Sequence, residues 1–253
     1  MADGFGAMHR KHASVYDVPL RLQSAAGYLV QAEVAALSRL TADIRRPYVV
    51  VLGGAKVADK LGVIGSLITA TDQILIGGAM TFPFLAAQGL KVGSSMLESR
   101  EVDLAAGYLD QAAQAGTEII LPSDVVVAAE RTAGAPNKVL AADAIPADQM
   151  GLDIGPESAA SFAGRIQRAG TVFWNGPMGV FELAPYAGGT RTVAQALADS
   201  RAFTVVGGGD TSAAVRALGF PDSAFGYVST GGGASLEFIQ GKTMPGLAAL
   251  AWS

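Results

Sequence analysis

The chain has 253 residues, half of them hydrophobic, no cysteine and a formal net charge of −4. Without cysteine there are no disulfides, thiolate metal ligands or cysteine nucleophiles, which fits a cytoplasmic protein, and the acidic balance offers no basic face for nucleic acid. No uninterrupted apolar run reaches the length of about 18 residues that a membrane helix needs, and the opening Met1-Ala-Asp-Gly-Phe-Gly6 lacks the pattern of a secretory leader.

Residues 1–20 are polar and basic with no clear period. The run His9-Arg10-Lys11-His12 reads as a solvated face near a terminus, where fraying is expected. Residues 24–40 show helical spacing, with Tyr28, Leu29, Val34, Leu37 and Leu40 on one stripe. Arg45-Arg46-Pro47 breaks the chain before a strand. A theme then recurs, in which a short apolar strand runs through glycine into a helix. Residues 48–52 lead into Gly53-Gly-Ala-Lys-Val-Ala-Asp-Lys60, and 73–76 into Gly77-Gly-Ala-Met80. Residues 171–174 lead into Asn175-Gly-Pro-Met-Gly-Val-Phe-Glu182, and 203–206 into Gly207-Gly-Gly-Asp-Thr211. Residues 227–230 lead into Gly231-Gly-Gly-Ala-Ser-Leu-Glu237 and a last helix. Between these, 98–115 reads as a helix, 117–121 as a strand, and 124–128 with 138–141 as a small hairpin. Alternating strands and helices imply a three-layer αβα, Rossmann-like parallel sheet with helices on both faces.

Ligands of such sheets bind beyond the carboxyl ends of the strands, and all five glycine turns fall there. In the turn at Gly207, bare glycines lead into a helix N-terminus, so oriented N–H groups and the helix dipole suit a phosphate. Asp210 beside it makes sense if a magnesium ion bridges carboxylate and phosphate. One such turn could equally use glycine for packing alone; five at one edge are harder to explain that way. Lys56 and Lys60, four apart on one helix face, could neutralise charge on a transferring group, or be two solvated lysines. Glu182 is an acceptor suited to ribose hydroxyls or an ordinary surface carboxylate, and Asn175-Gly-Pro177 lines a base pocket or is a plain turn. Gly241-Lys-Thr243 lacks the first glycine of a P-loop, because Leu236 stands there. No G-x-G-x-x-G occurs in a strand-to-helix turn, which weakens a dinucleotide-dependent oxidoreductase, and no H-E-x-x-H or serine elbow is present.

These motifs, with Leu121-Pro-Ser-Asp124 and Gly151-Leu-Asp-Ile-Gly-Pro156, make the chain resemble the phosphoglycerate kinase family over nearly its whole length. The resemblance implies reversible phosphoryl transfer from 1,3-bisphosphoglycerate to Mg-ADP, giving 3-phosphoglycerate and ATP. By the same resemblance, Lys60 contacts the nucleotide phosphates and Lys56 stabilises the transferring group, with the turn at Gly232 offering backbone N–H groups. Asp210 holds Mg2+, with Thr211 and the Gly208 and Gly209 amides on the phosphates; Glu182 takes the ribose, and Gly77, Gly78, Asn175, Pro177 and Val180 frame the nucleoside. Residues 1–24 resemble the end of the family's N-terminal substrate domain, 25–44 the interdomain helix and linker, and 45–253 the nucleotide-binding domain with a return segment. Ala79 departs from a frequent third glycine. Arg10 is the one group matching the family's basic substrate contacts, since most of the substrate domain is absent from this sequence. The expectation is therefore a monomer that binds Mg-ADP or Mg-ATP but turns over poorly alone. The alternatives are an inactive nucleotide-binding module and a scaffold that binds no nucleotide.

Overall fold

The computed structural model describes residues 1–55 and 57–250. In chain order these form α1 (Tyr28–Ser38), β1 (Tyr48–Leu52), α2 (Val57–Ile68), β2 (Gln73–Ile76), α3 (Thr81–Ala87) and α4 (Ser99–Ala115). There follow β3 (Glu118–Ile120), β4 (Asp124–Ala128), β5 (Asn137–Ala141), β6 (Met150–Ile154), α5 (Pro156–Arg168) and β7 (Thr171–Asn175). The chain continues through α6 (Gly188–Ala198), β8 (Phe203–Gly207), α7 (Gly209–Ala217), β9 (Tyr227–Ser229), α8 (Gly233–Ile239) and α9 (Pro245–Ala249).

Strand β1 is apolar and buried at every position, the mark of a strand covered on both faces. Because successive side chains point to opposite faces, Tyr48, Val50 and Leu52 join one core and Val49 and Val51 the other. On the first face lie α1, α2, α4 and α8, through side chains such as Leu37, Leu61, Ala105 and Ala234. The second face carries α5, α6 and α7, through Phe162, Val193 and Val215. Each fully buried side chain of this size contributes roughly 1.5–3 kcal/mol. The sheet is parallel in the order β3-β2-β1-β7-β8-β9. The chain works outward from β1 to β3, then returns to place β7 against the other side of β1, so the switch in direction falls between β1 and β7. This is the expected α/β Rossmann-like architecture.

The hairpin of 124–128 and 138–141 is present as β4 and β5, paired Asp124↔Ala141 through Ala128↔Asn137. A third antiparallel strand, β6, joins β4 from the other side, and this small sheet packs on α3 through Phe82, Leu85 and Val127. The sequence reading took residues 151–156 only as a motif, and it passed over α5 and α6. It also set the first helix at 24–40 with Tyr28 and Leu29 inward. The helix starts at Tyr28, and Tyr28 and Leu29 are 83% and 65% exposed. The inward stripe is Val30, Glu33, Val34 and Leu37, because these positions face the sheet along the helix body. Residues 1–20 looked featureless, yet Phe5, Met8 and Val15 are buried with the first core. Asp3 accepts a hydrogen bond from Val30 N at 3.0 Å and so supplies the capping oxygen that Gly27, at the N-cap, cannot.

Candidate active site

The turns after β1, β2 and β7 lock together through their backbones. Gly53 N donates to Asn175 O at 3.0 Å and Gly54 N to Pro177 O at 2.8 Å, while Gly78 N donates to Met178 O at 3.0 Å. Such close approach requires bare glycine. A Cβ on Gly176 would lie 2.1 Å from Gly53 O, and one on Gly78 2.6 Å from Gly54 N, each also at positive φ. The Lys60 ammonium reaches into the crevice between β1 and β7, donating to Gly53 O at 2.7 Å and to Asn175 O at 3.4 Å. It thus stands at the switch point, where open parallel sheets hold their ligands. Lys56 lies outside the described residues.

The turn after β8 is built differently. Gly208 has φ of +92°, and a Cβ on Gly209 would meet nothing within 4 Å, so the first turn of α7 opens to solvent with exposed Asp210 in it. Thr211 donates its hydroxyl to Gly207 O and accepts from Gly176 N, both at 2.7 Å. That hydroxyl ties the β7 and β8 turns, which leaves the first-turn backbone N–H groups of α7 as the donors without intrahelical partners. The Asn175 side chain is buried against Gly207 and Gly208 rather than in the cavity wall.

Beside these turns lies a cavity of about 270 Å³. It takes in Gly78, Pro177, Val180, Glu182 and Asp210 among the expected residues, and adds Phe82, Met96, Arg131, Leu152 and Asp153 from the small sheet and its surroundings. Gly77, Gly208, Gly209, Asn175, Thr211 and Lys60 stand behind or beside it without lining it. Arg10 and Gly232 fall together at a separate place on the same sheet edge. Arg10 Nε donates to His9 Nε2 at 3.1 Å, and that nitrogen would stand 3.8 Å from a Cβ on Gly233.

Two carboxylates were missed by the sequence reading. Glu33, 2% exposed, accepts from Ser229 Oγ at 2.7 Å, Thr230 N at 2.8 Å and Thr230 Oγ1 at 3.1 Å. Ser229 in turn accepts from Gly231 N at 3.2 Å and lies 2.6 Å from Ser235 Oγ. One buried charge on α1 therefore holds the whole β9–α8 glycine turn. Its spacing from Val30 and Leu37 was the available signal. Burial, together with that charge, pushes the Tyr227 phenol up to about 12. Asp153, 5% exposed, accepts from Ile154 N at 2.9 Å and Gly189 N at 2.8 Å. Burial pushes its carboxyl up to about 7 against the opposing pull of the Gly189, Ile154 and Gly188 backbone donors. A Cβ on Gly179 would lie 2.3 Å from its Oδ1, so Asp153 packs directly under the loop that carries Val180 and Glu182.

The family model of phosphoglycerate kinase matches residues 1–242. The chain belongs to the phosphoglycerate kinase family. A phosphoglycerate kinase of Kineococcus radiotolerans is 62% identical over 251 residues, covering 98% of this chain and 61% of that protein. One from Streptomyces avermitilis is 58% identical over 255 residues, covering 99% of this chain and 63% of that protein. The structure of phosphoglycerate kinase from Coxiella burnetii aligns with a TM-score of 0.93 at 40% identity, over 98% of this chain and 64% of that one. The chain thus spans about three fifths of the length of the relatives it matches. Among the described residues, no helix is long and apolar enough to cross a membrane, and no group of three or more His, Cys, Asp or Glu is placed to hold a metal ion.

Proposed function

We propose that this chain supplies the nucleotide side of a phosphoglycerate kinase, which transfers a phosphoryl group reversibly between 1,3-bisphosphoglycerate and ADP, in the cytoplasm and as a monomer. The observation that carries the reading is a cavity reaching from the small sheet to Asp210, at a sheet edge where five strands end in glycine turns. Pro177, Val180 and Glu182 line it and would enclose the nucleoside, with Glu182 accepting from the ribose. Gly78, in the cavity wall, lets the turns close, while Gly77 and Asn175 act one layer back by bracing them. The phosphates would lie on the first-turn amides of α7, at Gly209, Asp210 and Thr211, with Gly208 shaping the approach.

A lone exposed carboxylate beside phosphate-binding amides is the donor set that magnesium uses when nucleotide phosphates complete its shell. Asp210 would hold the ion, which supplies neutralisation of phosphate charge. Lys60, now on the Gly53 and Asn175 carbonyls, would swing to the phosphates, and Lys56 would add a second charge. The Gly231–Gly233 turn would offer N–H groups to the group in flight, and Arg10, beside it, would meet the phosphoglycerate. These groups contribute positioning and preorganised charge, the main means of catalysis in phosphoryl transfer. The 1–24, 25–44 and 45–253 divisions serve as the end of the substrate domain, the connecting helix and the nucleotide domain; family membership supports that division. Titration calorimetry of the chain with ADP, with and without Mg2+, tests the reading, and a chain that binds no ADP would overturn it. In a coupled assay with 1,3-bisphosphoglycerate, Lys60→Ala should lower whatever turnover the parent shows by about 10²–10³-fold.

A further inference from the structure

Gly179, Val180, Phe181 and Glu182 line the cavity in succession, on the loop that runs from β7 to α6. Both ends of that loop close on one side chain. At its start, a Cβ on Gly179 would lie 2.3 Å from Asp153 Oδ1. At its end, Gly189 N donates to Asp153 Oδ2 at 2.8 Å, and a Cβ on Gly189 would lie 2.5 Å from Oδ1. Beside Asp153 on β6, Leu152 O accepts from Val180 N at 2.8 Å. The carboxylate thus sits between the two feet of residues 179–189. Burial opposes a charge there and pushes the carboxyl up to about 7. An amide of the same shape would escape that penalty but not replace the group. Oδ1 accepts from Ile154 N and Oδ2 from Gly189 N, whereas an asparagine has one acceptor oxygen and would turn its NH2 toward a backbone donor. A plainer role is helix capping, since Ala187 at the N-cap of α6 has no capping side chain. Capping needs only the bond to Gly189. The contact with Gly179, at the far end of the loop, lies outside it.

We propose that Asp153 is a positioning residue for the nucleoside, gripping both feet of residues 179–189 so that Val180 and Glu182 are fixed in place against base and ribose. The inference rests on the nucleotide reading above and deepens it. A loop already held in its bound shape loses little freedom when the ligand arrives, and a loosened one must be ordered at the expense of affinity. The phosphates belong to the first turn of α7, which makes no hydrogen bond to Asp153 among the described residues. The effect is therefore confined to the nucleoside end.

The test uses the whole chain, calorimetry and three probes, namely ADP, adenosine and inorganic pyrophosphate, each with Mg2+. The pH is held well above the Asp153 value of about 7, so that the parent carboxylate is charged. Asp153→Asn should raise the dissociation constants of ADP and adenosine together by about tenfold. Pyrophosphate should bind within about twofold of the parent, and hydrogen exchange should quicken at residues 179–183. For whatever turnover the parent shows, KM for ADP should rise while kcat is kept, the sign of lost ground-state binding. Gly179→Ala pushes the near foot away without altering the carboxylate and should reproduce the loss for ADP and adenosine alone; it decides the matter should Asp153→Asn not fold. A lower melting temperature with all three affinities unchanged would reduce Asp153 to a helix cap and overturn the proposal, as would equal weakening of all three probes. A parent chain that binds neither ADP nor adenosine overturns the nucleotide reading and this proposal with it. If the parent binds both and the variants bind them equally well, this proposal alone fails.

Discussion

The two halves of the glycine-lined edge use the same residue for opposite reasons. Around β1, β2 and β7, glycine is needed because another backbone occupies the space a Cβ would take, at 2.1 Å for Gly176 and 2.6 Å for Gly78. Around β8 and β9, Gly207 and Gly231 are also hemmed in, by Phe173 and by Ser235 and Phe5, but a Cβ on Gly209 or Gly232, at the starts of α7 and α8, would meet nothing within 4 Å. There glycine keeps helix N-termini open. The packing reading of a glycine turn therefore holds where another backbone fills the space, and the open part of the edge is where the functional reading is proposed. The first half builds a rigid wall, and the second leaves helix N-terminal N–H groups uncovered, the donors proposed above to meet a ligand.

The largest test of this division is Gly176→Ala. The φ of +100° and the contact with Gly53 O should together cost about 4 kcal/mol, a fall in melting temperature of roughly 8–16 °C by thermal denaturation. A loss under about 1 kcal/mol would show that the wall yields, and the contrast would fail. Next is Glu33→Gln. It leaves the Ser229 and Thr230 donors on a weaker, partly mismatched acceptor and should cost about 2 kcal/mol. Faster hydrogen exchange should be confined to 229–235, showing that the open half is held by one buried charge.

Asp153 gives a pH test of the wall. Its folded carboxyl titrates near 7 rather than in the usual aspartate range, so the folded state binds the proton more tightly than the unfolded chain does. Its contribution is full below the unfolded value, near 4, and is lost as pH rises to about 7. Stability by urea titration should fall between these values, by up to about 1.4 kcal/mol per pH unit, and Asp153→Asn should flatten the slope. A slope unchanged in that variant would remove Asp153 as its source. Smallest for the fold is Asp210→Ala. The residue is exposed, and melting should shift by the equivalent of less than about 0.5 kcal/mol. The Mg2+-dependent part of ADP binding should disappear in calorimetry. A large loss of stability would contradict the view that this half only presents groups.

Much of the fold could be read along the chain. Strands 48–52, 73–76, 171–174 and 203–206 all appear with boundaries within a residue, because buried parallel strands write themselves as short apolar runs. Helix α5 was legible too, with Pro156 and Glu157 in its first turn and Arg165 and Arg168 in its last, but it was absorbed into a motif. Helix α6, opening on Gly188-Gly189, gives a weaker signal. The site was less legible than the fold. Glu182, Val180, Pro177, Gly78 and Asp210 come to the cavity as expected, whereas Thr81, Asp153 and Phe82 were not foreseen. A threonine, an aspartate and a phenylalanine in ordinary elements carry no mark of the wall they will face.

By itself the sequence determined the alternation of strands and helices, the glycine turns at the strand ends and the family, all of which depend on local spacing. Only the tertiary structure decided which turns meet. It set β7 beside β1, and brought Glu33 to Ser229 across 196 residues and Thr211 to Gly176 across 35. Local spacing sets backbone conformation within a few residues. Contacts between distant segments follow from how both sheet faces are covered at once, and no single stretch encodes that.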